Sequence, residues 1–187
     1  MSSLVKQVED LAMRVGYTGL EVGGTKEIMN VMLTLHDTTY DKEREEVELY
    51  FEANGLDFKK KLEQEATHYQ FLKYGLLQKI EYNEFYFKEP PINSRKLYIH
   101  SPDCISLIQI LPRTPVMQVN AYLRSSEVKC LLPIDALGVL DICDALKWKI
   151  YVNEGMNPFT QVNIWIASAH IYTKGDPRRE DILKRVH

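Results

Sequence analysis

Five stations between residues 104 and 172 carry side chains able to form covalent bonds or to recognise charge. Cys104 is followed five residues later by Gln109, Arg124-Ser125 begins twenty residues after the cysteine, Asp135 lies eleven after the arginine, and His170-x-Tyr172 closes the series. A thiolate can add to an electron-poor ring. A guanidinium offers phosphate a planar fork of donors, and a neighbouring hydroxyl adds another. A buried carboxylate can read the polar edge of a base. His170 and Tyr172 alternate to one side of a strand and can reach a sugar hydroxyl. Together these groups suit the handling of a pyrimidine nucleotide. Each has a plainer alternative. Cys104 also reads as a small residue at a strand start, Asp135 as the N-cap of the apolar helix after Pro133-Ile134, Arg95 as half of a surface ion pair, and His170 and Tyr172 as packed core.

The elements that must position these groups belong to one domain, residues 1–187. The chain is 45% hydrophobic and 26% charged, ordinary values for a globular protein long enough to bury a sizeable core. A net charge of −3 argues against nucleic acid as a partner, because phosphate backbones are held by basic surfaces. It leaves room for a mononucleotide held in a local cationic pocket. Cys104, Cys130 and Cys143 form no close C-x-x-C pair, which argues against a disulfide framework or a metal site and for a reducing compartment. With no long apolar run and no basic, apolar leader, neither a membrane span nor a secretory signal is expected.

Periodicity places a first helix behind Ser3, with Leu4, Val8, Leu11, Ala12 and Val15 as its stripe and Gly16 as its stop. Gly19, Gly23 and Gly24 predict a hairpin before a strand over 28–35. Residues 41–73 predict two helices broken near Asn54-Gly55, their charges forming a solvated face. After Pro90-Pro91 come short strands over 97–100, 106–111 and 116–123, a buried helix over 137–147 and a last strand over 161–167. Helices and strands mix without regular alternation, which predicts α+β.

These residues resemble the thymidylate synthase superfamily, from about Gly19 to Tyr172 and most closely from Ser94 onward. The family pattern of Ser-Arg-Arg, a nucleophilic Cys with Gln five residues on, Arg-Ser, a base-reading carboxamide or carboxylate and His-x-Tyr is matched by Ser94-Arg95-Lys96, Cys104, Gln109, Arg124-Ser125, Asp135 and His170-x-Tyr172. Ile105 after the cysteine, Asp135 as base reader and Ser168 before His170 are most similar to the bacteriophage deoxycytidylate hydroxymethylase branch. The resemblance implies a mixed sheet flanked by helices, a homodimer and 5,10-methylenetetrahydrofolate as cofactor. The implied reaction is hydroxymethyl transfer to carbon 5 of dCMP or CMP through a Cys104 adduct. Asp135 would read the base. Gln109, Arg124, Ser125, His170 and Tyr172 would bind the nucleotide, with Arg95 and Lys96 from a partner subunit. Glu48, or its neighbour Glu46, would move protons, and Tyr74 of Tyr74-Gly75 would line the folate side. Methyl or hydroxymethyl transfer to dUMP, and a relative that binds without turnover, are the alternatives. Lys96 stands where the family has a second arginine, and Glu21 lies near the family's phosphate-loop arginine.

Overall fold

The computed structural model describes residues 3–82, 97–113, 115–151 and 155–173. They form a single α+β domain, in which four helices accompany one six-stranded mixed sheet. The first helix, α1 (Leu4–Thr18), buries Leu4, Val8, Leu11 and Val15, and Ser3 caps it by accepting from the Lys6 N–H. It runs past Gly16 and stops at Gly19, whose N–H bonds the Val15 carbonyl at 3.0 Å. A side chain there would collide with that carbonyl and crowd the Glu27 backbone. Next, β1 (Leu20–Val22) turns into β2 (Thr25–His36) through Gly23 and Gly24 at φ 51° and 83°. Two successive positive φ values define the tight hairpin the glycines predict. The charged region forms α2 (Tyr40–Ala53) and α3 (Phe58–Tyr82), broken where Gly55 adopts φ 67°.

Strands β3 (Leu97–His100), β4 (Ile105–Leu111) and β5 (Val116–Glu127) pair antiparallel in sequence. The fourth helix, α4 (Leu131–Ile150), then leads to β6 (Phe159–Tyr172), which lies parallel to β5. A parallel pair needs a long crossover, and α4 supplies it. The sheet order is β1-β2-β6-β5-β4-β3. Because α4 begins six residues before the predicted position, Asp135 lies inside it and is not its cap. Pro133 falls in the first turn, where a helix has no use for a backbone N–H. Every residue from Leu132 to Leu140 is buried, so α4 carries no amphipathic stripe to mark its start.

The inward series skips one position in four adjacent strands. It passes from Ile28 to Val31 in β2, from Ile166 to Ala169 in β6, from Leu123 to Ser126 in β5 and from Ile105 to Ile108 in β4. The ladder is interrupted at the same level. Met29 and Val31 pair Ser168 and Ile166, Leu123 and Ser125 pair Ile166 and Ser168, and the β4–β5 register shifts between Ile105 and Leu107. Asn30, at φ 56°, marks this stacked bulge in β2. On the sheet face that no described element covers, Tyr122 and Trp165 stack at 6.5 Å and Met29 and Met32 are exposed.

Among the described residues no helix is long and apolar enough to cross a membrane. The helical layer is tied together by a buried carboxylate. Glu43, 3% exposed, accepts from the Leu4 N–H at 2.9 Å and the Thr38 hydroxyl at 2.8 Å, joining α2 to the start of α1. Glu43→Ala is expected to destabilise the fold by roughly 2–3 kcal/mol, through the lost cap and the two donors left unmet. The check is a lower urea midpoint at an unchanged slope.

Candidate active site

A pocket of about 380 Å³ opens between α3, the start of α4 and the ends of β4 and β5 nearest the bulge. Cys104, Arg124, Ser125 and Asp135 all line it, with Glu65, His68, Tyr69, Asp103, Ile105 and Leu131. Cys104 occupies the turn into β4. The Ser101 N–H reaches the Ser106 carbonyl at 3.1 Å and closes that turn. Arg124 fastens the turn to β5, its backbone N–H donating to the Cys104 carbonyl at 2.9 Å and its guanidinium to the Pro102 carbonyl at 2.7 Å. Asp103 fastens it to α3 through His68 Nδ1 at 3.0 Å. The cysteine is thus held by backbone and side chain from two elements.

Asp135 lies in the second turn of α4 and is 6% exposed. The Tyr69 hydroxyl donates to its Oδ1, and the Ser126 hydroxyl donates to its Oδ2 at 2.8 Å. Burial pushes its pKa up to about 6, against the pull of the Tyr69 and Ser126 hydrogen bonds. The carboxyl therefore changes charge near neutrality, as groups that pass protons do. Burial also raises the Cys104 thiol above its ordinary value, and the Asp135 charge adds to that effect. Arg124 lowers it, the expected direction, but does not prevail. Cys104 is the exposed cysteine of the three, so the desolvation comes from the pocket wall on one side of an accessible sulfur.

The remaining expected residues lie elsewhere. Gln109 falls between Ile108 and Ile110, both fully buried, and so points to the uncovered sheet face beside Asn120. His170 and Tyr172 alternate with Ala169 and Ile171, which face the helices, so this pair also lies on the other face, edge to face at 5.3 Å. Glu48 is exposed on α2, because Val47, Tyr50 and Phe51 define the buried side of that helix. Glu46, half-buried, does not line the pocket either. The glutamate that does is Glu65 of α3. Tyr74 is exposed on α3, while Gly75 gives room to Ile99, whose Cδ1 would lie 2.5 Å from a Cβ. Arg95 and Lys96 lie outside the described residues.

The wall that sequence reasoning missed is α3. Glu65, His68 and Tyr69 share one face at helical spacing with buried Leu72 and Leu76, a stripe hidden in a run read as solvated. Ser126 was missed because strict alternation from Leu123 would turn it outward, and the bulge reverses that. His68 Nε2 is enclosed without a hydrogen-bond partner. Among the described residues no cluster of potential metal ligands occurs. Neither models of known protein families nor curated proteins match the chain.

Alkylation measured against pH should find Cys104 the reactive thiol among the described cysteines, with a midpoint above that of a free cysteine. Arg124→Ala should move the midpoint further up, since Arg124 lowers it, and Asp135→Asn should move it down, since Asp135 raises it. A wild-type midpoint below the free-cysteine value would contradict this electrostatic account.

Proposed function

We propose that this protein activates carbon 5 of a cytidine monophosphate, dCMP or CMP, through a covalent Cys104 adduct, as a folate-dependent C5 hydroxymethyltransferase. The observation that carries the reading is convergence. A nucleophile, a guanidinium with a hydroxyl and a proton-exchanging carboxyl, spread over residues 104 to 135, line one pocket of nucleotide size. Arg124 and Ser125 would hold the phosphate. One guanidinium nitrogen is engaged by Pro102, and the fork retains further donors. Asp135 would face the N3 and amino edge of cytosine.

The residues at hand account for the first half of the reaction. As Cys104 Sγ bonds carbon 6 and the thiol proton is released, the Asp135 proton passes to N3. The electrons of the C5–C6 double bond then form a C4–C5 enamine, which makes carbon 5 nucleophilic. When bound, 5,10-methylenetetrahydrofolate would supply the one-carbon unit. Among the described residues the apolar wall of the pocket, Tyr69, Ile105 and Leu131, fits a pyrimidine. The described residues thus account for the pyrimidine half of the reaction. Because Cys104 must stay a free thiol, a reducing cytoplasm suits this chemistry. Asp135 disfavours dUMP, whose N3–H and O4 match an amide better. A binding-only relative is the second reading, favoured by three carboxylates, Glu65, Asp103 and Asp135, beside one guanidinium among the described lining residues.

Loss of tritium from carbon 5 of dCMP to solvent, without folate, tests the adduct directly. Cys104→Ser should abolish that exchange while leaving dCMP affinity within about tenfold, because the thiol acts in chemistry rather than docking. Exchange at the wild-type rate in the serine variant would remove Cys104 as nucleophile, and binding without exchange in the wild type would favour the second reading.

A second copy of this chain is the proposed cover for the open sheet face, whose stacked Tyr122 and Trp165 and exposed Met29 and Met32 form an apolar patch. Arg124 borders both the pocket and a recess on that face lined by Tyr122 and Trp165, so pairing would buttress the site. Sedimentation at micromolar concentration should give a dimer for the wild type and a monomer for Trp165→Glu. A wild-type monomer would refute the pairing.

A further inference from the structure

The Cys104 adduct and its enamine leave carbon 5 carrying its original hydrogen. That hydrogen must depart before the C5–C6 double bond re-forms and the sulfur is released, so a base must stand beside carbon 5. Most groups lining the pocket are committed elsewhere. Cys104 is spent on carbon 6, and Arg124 is a cation. Both oxygens of Asp135 accept hydroxyl hydrogen bonds, from Tyr69 and Ser126, and that carboxyl would face the N3 and amino edge. Asp103 is bound to His68 Nδ1 at 3.0 Å and accepts from the Ser101 hydroxyl at 3.1 Å. His68 is held through that nitrogen, and its other, Nε2, is enclosed.

Glu65 is the remaining acid among the described lining residues. It lies one turn before Tyr69, on the face that α3 turns to the pocket. Its contact is an ion pair with Lys61, one turn earlier, at 3.6 Å, longer than a hydrogen bond, so the carboxylate is free to turn to a ligand. The side chain is 31% exposed, enough to trade protons with solvent. Its charge raises the pKa of both Cys104 and Asp135, so it lies within reach of both. A pyrimidine bonded to Cys104 at carbon 6, with its N3 and amino edge at Asp135, spans those two side chains. One side of that span, N1 and C2, carries the sugar and a carbonyl. The other is carbon 5, which carries hydrogen alone.

We propose that Glu65 is a catalytic residue, the base that takes the hydrogen from carbon 5 of the Cys104-bound pyrimidine. The role rests on the nucleotide reading above. Without a one-carbon donor the step is hydrogen exchange. The C4–C5 electrons of the enamine take a proton from solvent on one face of the ring, and N3 and the amino group share the positive charge so produced. The Glu65 carboxylate then removes the original hydrogen from the other face, and the electrons of that C–H bond restore the C4–C5 double bond. Those electrons return to C5–C6 as the Sγ–C6 bond breaks to thiolate, and the N3 proton goes back to Asp135. Glu65 passes its own proton to solvent. Any electrophile that takes the place of the solvent proton leaves the same hydrogen for Glu65 to remove.

Tritium release from carbon 5 of labelled dCMP, without folate, reads this step when it is set beside dCMP affinity and the alkylation midpoint of Cys104. Glu65→Gln keeps the size of the side chain and removes the base. Exchange should fall at least about a hundredfold, with dCMP affinity within about tenfold of wild type. Electrostatics alone predicts the opposite. Glu65 raises the Cys104 pKa, so its neutral replacement should lower the alkylation midpoint and favour the adduct. Slower exchange from a more readily ionised thiol therefore marks the loss of a base. Exchange in Glu65→Gln at or above the wild-type rate overturns the role and leaves the Cys104 adduct standing. A loss of exchange that comes with a raised Cys104 midpoint, or with dCMP affinity weakened beyond that range, overturns it as well. Wild-type protein that binds dCMP without exchange, or does not bind it, refutes the adduct and the Glu65 step together.

Discussion

The stacked bulge is the constraint on which the arrangement depends. A regular sheet sends alternate residues to opposite faces along its whole length. In that case Ser126 would point away from α4 and leave Oδ2 of Asp135 without its donor. Because β4, β5, β6 and β2 all slip at one level, each strand keeps its apolar side inward above and below the slip, and no single strand is forced out of register with its neighbours. The slip turns Ser126 toward the helices at the level of the Cys104 turn. A bulge in one strand alone would break ladder bonds with both neighbours. Stacked across four, the irregularity becomes a kink of the sheet, with the pocket at the kink.

Against that kink stands a helix buried on nearly all sides. The apolar shell around α4 is what makes the Asp135 carboxyl exchange its proton near neutrality, since desolvation is the leading cause of its raised pKa. The same shell makes an unmet oxygen costly, and Tyr69 and Ser126 meet that demand. Lys73 binds Asp141 at 2.6 Å and Asp144 accepts the Tyr40 N–H at 2.8 Å, so α3 and α2 are both pinned to α4 by acids farther along it. The wall that carries Tyr69 is thus fixed relative to Asp135 by contacts that do not enter the pocket.

Local signals were legible in the sequence where the chain solves a local problem. The Gly23-Gly24 hairpin, the Ser3 cap, the Gly55 break and the strand Leu97–His100 each follow from residues within a few positions. Spacing also identified the pocket's central four, Cys104, Arg124, Ser125 and Asp135. What escaped depends on partners distant in sequence. The start of α4 has no stripe because the helix is enclosed, and Glu65, His68 and Tyr69 look like surface residues until α4 is laid beside them. Gln109, His170 and Tyr172 belong to the pattern in the sequence but to the opposite face in space, because strand alternation overrides linear spacing.

The two titrations in the pocket oppose each other. Burial holds Cys104 as a thiol, and negative charge on Asp135 adds to that effect. A resting thiol is a poor nucleophile but is also protected from oxidation and stray electrophiles. A base that shares a proton with Asp135 removes the charge that opposes ionisation, while Arg124 continues to favour the thiolate. On the proposed reading a base that shares this proton thus releases the nucleophile it needs. Binding of the base and activation of the thiol then share one cause, the proton on Asp135. This coupling explains why a carboxyl placed to read a base also acts electrostatically on the sulfur in the same pocket.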